Sequence, residues 1–174
     1  MKTRKMKGFT LVELIVVIAI IGVLAAILVP TMLGYVKKSK VSSANANAKS
    51  LYDAVATAII ELDTESITVD SKVPDCTQTA KYSVPAAASI PTAGGATTLA
   101  ANHAYIQWKA YNYFNGMAKL NGGYGWRITN MAVVGSYTYD GTYYGTYPKP
   151  STNDNSTGAK IHANGTKALD YAAS

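Results

Sequence analysis

The sequence predicts an α+β fold in which one long N-terminal helix packs against a small antiparallel β-sheet domain. Three observations carry this. Phe9 to Val29 is a run of 21 residues in which only Thr10 and Glu13 are polar. Beyond it, Val41, Ala44, Ala48, Leu51, Val55, Ala58 and Leu62 recur at spacings of three and four, one face of a helix. From Trp126 the texture changes to tyrosine-rich, strand-like segments broken by Asp140-Gly141.

The apolar run comes first. A bilayer core takes about 20 apolar residues in a helix, so this segment is long enough to span one. Four basic residues, Lys2, Arg4, Lys5 and Lys7, precede it and supply four of the six net positive charges of the 174-residue chain. Basic residues before a membrane segment stay on the cytoplasmic side. Lys37, Lys38 and Lys40 follow the run and compete, but the four leading charges lie within eight residues of the terminus and favour N-terminus in, C-terminus out. With residues 1–8 set aside the balance falls to +2, and no basic stripe remains to suggest a nucleic-acid partner. A conventional secretory signal would end at a small-residue cleavage site after its apolar region. Ala25-Ala26 could imitate one, but the apolar run continues through Ile27, Leu28 and Val29. The glycine near the basic region is Gly8, and a cut there would remove the charges and keep the helix.

Glu13 is the misfit. A carboxylate at the centre of a membrane helix costs on the order of 3 kcal/mol or more, and an acid inside such a segment is a functional residue by default. It lies four residues past Phe9, about 6 Å along a helix. Gly22, Pro30 and Gly34 punctuate the helix, and Pro30 cannot donate a backbone bond to Ala26. The apolar stripe then carries the helix on to about Leu62, where Asp63-Thr64-Glu65-Ser66 breaks the pattern. A single helix from Phe9 to Leu62 would be roughly 80 Å long.

KGFTLVELIVVIAIIGVLAAILVP resembles the class III leader and N-terminal helix of type IV pilins and pseudopilins, specifically over about residues 5 to 35 and as a helix pattern to about 62. The resemblance implies four segments: a cleaved leader at 1–8, a membrane and filament-core helix at 9–36, its amphipathic continuation at 37–63, and a C-terminal globular domain at 64–174. It implies cleavage between Gly8 and Phe9 by a prepilin peptidase that also methylates the Phe9 amine. It implies that Glu13 meets a Phe9 amine during assembly. Helix geometry alone leaves open whether that amine is its own or a neighbour's, and the resemblance implies the neighbour's. The stretch between Gly22 and Pro30 is implied to bend or unwind in the fibre.

The implied partners are copies of the chain in a helical filament, the peptidase and methyltransferase, and a pilus assembly platform with its ATPase. The membrane holds the chain before assembly, and the mature form is extracellular. No nucleic acid is expected unless the filament takes up DNA. The implied function is a major structural subunit serving adhesion, twitching motility or aggregation. The alternatives are a major pseudopilin of a type II secretion system, a DNA-uptake pilin and, more remotely, a membrane-tethered enzyme.

The outer half is less telling. Residues 67–98 read as loops with one short strand. Leu99, His103, Ile106, Ala110 and Phe114 fit a helix ended by Asn121-Gly122-Gly123. WRITNMAVVGSYTY and TYYGTY read as two strands joined at Asp140-Gly141, which would set Tyr137 opposite Tyr144. Asn164-Gly165 suggests a second hairpin. The tyrosines read as ordinary strand residues. The chain has no recognised nucleophile, phosphate-loop or cofactor motif, and its two histidines, His103 and His162, sit in no ligand-spaced cluster. STNDNS at 151–156 lacks the ordered spacing of a calcium loop, so no metal is expected. Asn155 and Asn164 head glycosylation-type triplets. Cys76 is the single cysteine, so no intramolecular disulfide can form. Many pilins close a C-terminal loop with two cysteines, and this chain departs from them there.

Overall fold

The computed structural model describes residues 8–64, 76–78, 82–83, 99–152 and 165–174. Helix α1 (Leu11–Thr64) runs unbroken for 54 residues. It crosses from one compact unit into a second, which begins at Lys38. The described part of the first unit is helix from Leu11 on, and every described residue from 8 to 36 is exposed. A helix that is apolar all round and uncovered by its own chain belongs in lipid or among other helices. It is long and apolar enough to cross a membrane.

The second unit is α+β. The stripe of α1 from Val41 to Leu62 is buried at every position that the periodicity marks, with Ala54 and Ile59 added. Each fully covered Leu, Ile or Val contributes about 1.5–3 kcal/mol. Opposite it lies a four-stranded antiparallel sheet in the order β1 (Cys76–Gln78), β2 (Gly123–Thr129), β3 (Ala132–Tyr139), β4 (Tyr144–Tyr147). Side chains alternate across the sheet. Cys76, Trp126 and Ser136 form one cross-strand row and Tyr124, Thr138 and Gly145 the next. Both rows face α1. Helix α2 (Leu99–Tyr113) and a 3-10 turn (Asn115–Lys119) complete this core with Ile106, Ala110 and Met117. Helix α3 (Gly165–Ala172) covers the other face, where Ala168 and Leu169 pack on Tyr137, and Arg127 pairs with Asp170 at 2.9 Å.

The seam between α1 and the sheet is narrow. A Cβ on Gly145 would lie 1.9 Å from the Ala44 carbonyl oxygen, so only glycine lets β4 sit there. The Thr138 hydroxyl donates to the Ala44 carbonyl at 3.0 Å and the Ser136 hydroxyl to the Ala48 carbonyl at 2.8 Å. Asn45 fastens the far end. Its Oδ1 accepts the N–H groups of Thr146 and Ser151, each at 3.0 Å, and its Nδ2 donates to the Ser151 carbonyl at 2.9 Å. This clamp holds residues 146–151 on α1 without a disulfide.

Four local expectations need correction. The segment expected as one strand from Trp126 is a hairpin, β2–β3, turning at Asn130 and Met131, both with positive φ. Such a turn favours Asn-Gly, and methionine hid it. The β3–β4 connection has four residues, because Asp140 Oδ1 accepts the N–H groups of both Thr142 and Tyr143. Tyr144 therefore faces Tyr139, with ring centroids 4.2 Å apart, and Tyr137 faces Thr146. Helix α2 stops at Tyr113, where Phe114 turns to an extended φ of −133°. Gly165 opens α3 where the turn of a hairpin was expected, since Ala168, Leu169 and Ala172 bury one helical face. STNDNS from 153 on, Asn155, Asn164 and residues 1–7 lie outside the described residues.

Candidate functional site

The candidate site is the start of α1. Gly8 and Phe9 precede the helix and are exposed, Phe9 at 76%. A Cβ on Gly8 would meet nothing within 4 Å. The Gly8–Phe9 peptide is thus outside regular structure and open to approach.

Thr10 and Glu13 form a reciprocal cap. The Thr10 backbone N–H donates to Glu13 Oε2 at 2.9 Å, and the Thr10 hydroxyl donates to the same oxygen at 2.6 Å. The Glu13 N–H in turn donates to Thr10 Oγ1 at 3.3 Å. This is the Thr-x-x-Glu capping box, which satisfies helix-end N–H groups otherwise left without partners. A carboxylate in the first turn also meets the positive end of the helix dipole. Glu13 is therefore hydrogen-bonded before any second chain arrives. Both of its bonds use Oε2, and among the described residues Oε1 accepts none. The spacing T10-L-V-E13 stands in the sequence, and the role of Thr10 could have been read from it.

Gly22 and Pro30, expected at a bend, both lie within the continuous α1. Around Pro30 the Thr31 hydroxyl turns back on the helix, donating to the Leu28 carbonyl at 2.8 Å and lying 3.4 Å from that of Ile27. This back-bonding loosens helices locally. Thr31 was not expected to take part.

In the second unit, polar groups serve packing. Glu61 accepts Lys109 Nζ at 2.8 Å and the Tyr113 hydroxyl, joining α1 to α2. These bonds hold its carboxyl below the usual range and raise Lys109. His103 lies 6.0 Å from Trp126, and burial pushes its pKa down. Its Nε2 and the Trp126 Nε1 are buried and have no hydrogen-bond partner among the described residues. Cys76 is fully buried in β1 and accepts from Gln107 at 3.4 Å, a packing residue. Among the described residues no three metal-binding side chains come together.

Comparison with known proteins picks out the same segment. Residues 3–29 match the prokaryotic N-terminal methylation motif. The chain is 47% identical over 57 residues to the type IV major pilin protein PilA of Myxococcus xanthus (strain DK1622), covering 33% of this chain and 26% of that one. It is 42% identical over 55 residues to the type IV major fimbrial protein FimA of Dichelobacter nodosus, covering 32% and 35%. It is 42% identical over 65 residues to the type IV major alpha-pilin of Moraxella bovis, covering 37% and 41%. The match thus spans between about a quarter and two fifths of these relatives' length. No solved structure matches.

Proposed function

We propose that this chain is the major structural subunit of a type IV pilus. The observation that carries the reading is a methylation motif that overlaps a helix left exposed by the described residues. Such a helix needs lipid before assembly and other helices afterwards. The chain waits in the cell membrane with its N-terminus in the cytoplasm. A prepilin peptidase cuts between Gly8 and Phe9 and methylates the new amine. Residues 9–36 enter the filament core, 37–63 continue the helix, and 64–174 form the outer domain. An assembly platform and its ATPase drive polymerisation. The extracellular fibre serves adhesion, motility or aggregation, and the chain is not an enzyme.

The capping box refines the part played by Glu13. Thr10 holds one carboxylate oxygen, which leaves Oε1 for the Phe9 amine of an incoming subunit. In lipid that attraction is strong and partly offset by desolvation. Its main effect is registry, since a wrong axial offset leaves the acid facing hydrocarbon. Gly22 to Pro30 is the stretch that unwinds as helices pack, aided by the Thr31 hydroxyl.

Mass spectrometry of sheared surface fibres tests the reading. A mature chain beginning at N-methylated Phe9 is expected. A chain beginning near residue 27, or one never found outside the cell, overturns it. Glu13→Ala is expected to be cut at Gly8 and to assemble poorly. Wild-type fibre yield from that variant would refute the registry role.

A further inference from the structure

One surface of the outer unit carries the features of a contact between copies. The stripe of α1 that faces away from the sheet runs through Ser50, Asp53, Thr57 and Ile60. Tyr113, at the end of α2, stands beside it. Ser50, Asp53, Ala54, Thr57 and Tyr113 line an open groove of about 280 Å³. Ile60 lies on the same stripe, less than one turn past Thr57. Among the described residues of this unit, Ile60 and Tyr113 are the large hydrophobics left exposed, at 64% and 50%. Single exposed hydrophobics are ordinary, but two beside one groove form a patch.

The charges say what fits. Asp53 is exposed and forms no ion pair among the described residues. Lys40, on the same helix, is exposed and equally unpaired there. At 3.6 residues per turn Lys40 lies about 140° round α1 from Asp53, and 13 residues put it about 20 Å nearer the N-terminus. Copies stacked in parallel meet through two different faces, each subunit offering one face to the copy above and the other to the copy below. Opposite charges on opposite faces, both unpaired among the described residues, complement each other across such a stack.

We propose that the Ser50–Asp53–Thr57–Tyr113 groove is an intersubunit contact that receives the Lys40 side of a neighbouring α1, with Asp53 paired to the neighbour's Lys40. Ile60 and Tyr113 lose their water in the same contact. The proposal rests on the filament reading and adds to it a second neighbour, offset by about 20 Å. The neighbour that meets Glu13 is offset by about 6 Å, four residues of helix.

Charge reversal in fibre-producing cells tests it. Asp53→Lys is expected to give a normally cut membrane chain and about tenfold fewer fibres. Asp53→Lys with Lys40→Asp restores the yield to within about threefold, as expected for coupled sites. Asp53→Cys with Lys40→Cys gives disulfide-linked ladders in isolated fibres, whereas either single cysteine gives none. Wild-type fibre yield from Asp53→Lys overturns the contact, as do abundant double-cysteine fibres that stay monomeric on oxidation. A wild-type chain that is cut and never forms fibres overturns the filament reading together with the contact.

Discussion

Asn45 is the side chain whose removal the structure prices most directly. Asn45→Ala deletes three hydrogen bonds, two accepted from Thr146 and Ser151 N–H and one donated to the Ser151 carbonyl. Each contributes about 1 kcal/mol net, and more where the backbone partner is left dry. The site is half-buried, so water replaces part of the loss. The expected destabilisation is about 2–4 kcal/mol, a large share of the 5–15 kcal/mol typical of a domain. Asn45→Asp keeps two acceptor bonds but turns a carboxylate toward the Ser151 carbonyl, so it should cost about 1–2 kcal/mol. The assay is urea unfolding of the full chain in detergent, followed by tryptophan fluorescence. Trp126 is fully buried and reports the core. The midpoint should fall while the denaturant slope stays constant. A loss below about 0.5 kcal/mol for Asn45→Ala would show that the clamp does not hold residues 146–151 and would refute the reasoning.

Other outcomes follow from the same contacts. Gly145→Ala drives a methyl into the Ala44 carbonyl and should destabilise by about 3 kcal/mol, read from the same unfolding curves. His103 has its pKa depressed from 6.5 by burial, so the unfolded chain binds the extra proton first. Stability should be complete above about pH 6.5 and decline as pH falls below it, and His103→Gln should flatten that limb. Glu61, depressed from 4.5 by Lys109 and Tyr113, contributes stability above the unfolded value that is lost as pH falls through the folded one. The pair is partly exposed, so Lys109→Met should remove only about 0.5 kcal/mol at neutral pH. Thr10→Val removes the hydroxyl from the capping box. Hydrogen exchange at the first turn of α1 should speed up several-fold while exchange beyond Gly22 is unchanged.

The first third of the chain was legible because its signals are local. The charge of Lys2, Arg4, Lys5 and Lys7, the apolar length from Phe9 and the lone Glu13 need no tertiary partner to be read. The stripe from Val41 to Leu62 was readable for the same reason, since its period is a property of one helix. The outer domain resisted. The β2–β3 turn places Met131 at a φ of 64°, and no propensity marks methionine for that conformation. Packing of Met131 against the core holds it there. The Asp140 side chain lengthened the next turn by capturing two N–H groups, which moved Tyr144 from Tyr137 to Tyr139.

By itself the sequence determined a basic leader ahead of a long apolar segment, a long helix with one face to be covered, and an α+β class. Periodicity, charge order and apolar length act between near neighbours in the chain, so they survive without coordinates. Only the tertiary structure decided what holds the outer domain against the helix. The Thr10 grip on Glu13 stands in their spacing, but Asn45 clasps residues a hundred positions away and Gly145 admits a strand against the Ala44 carbonyl. The last two depend on backbone groups brought together by folding, and no spacing along the chain encodes that meeting.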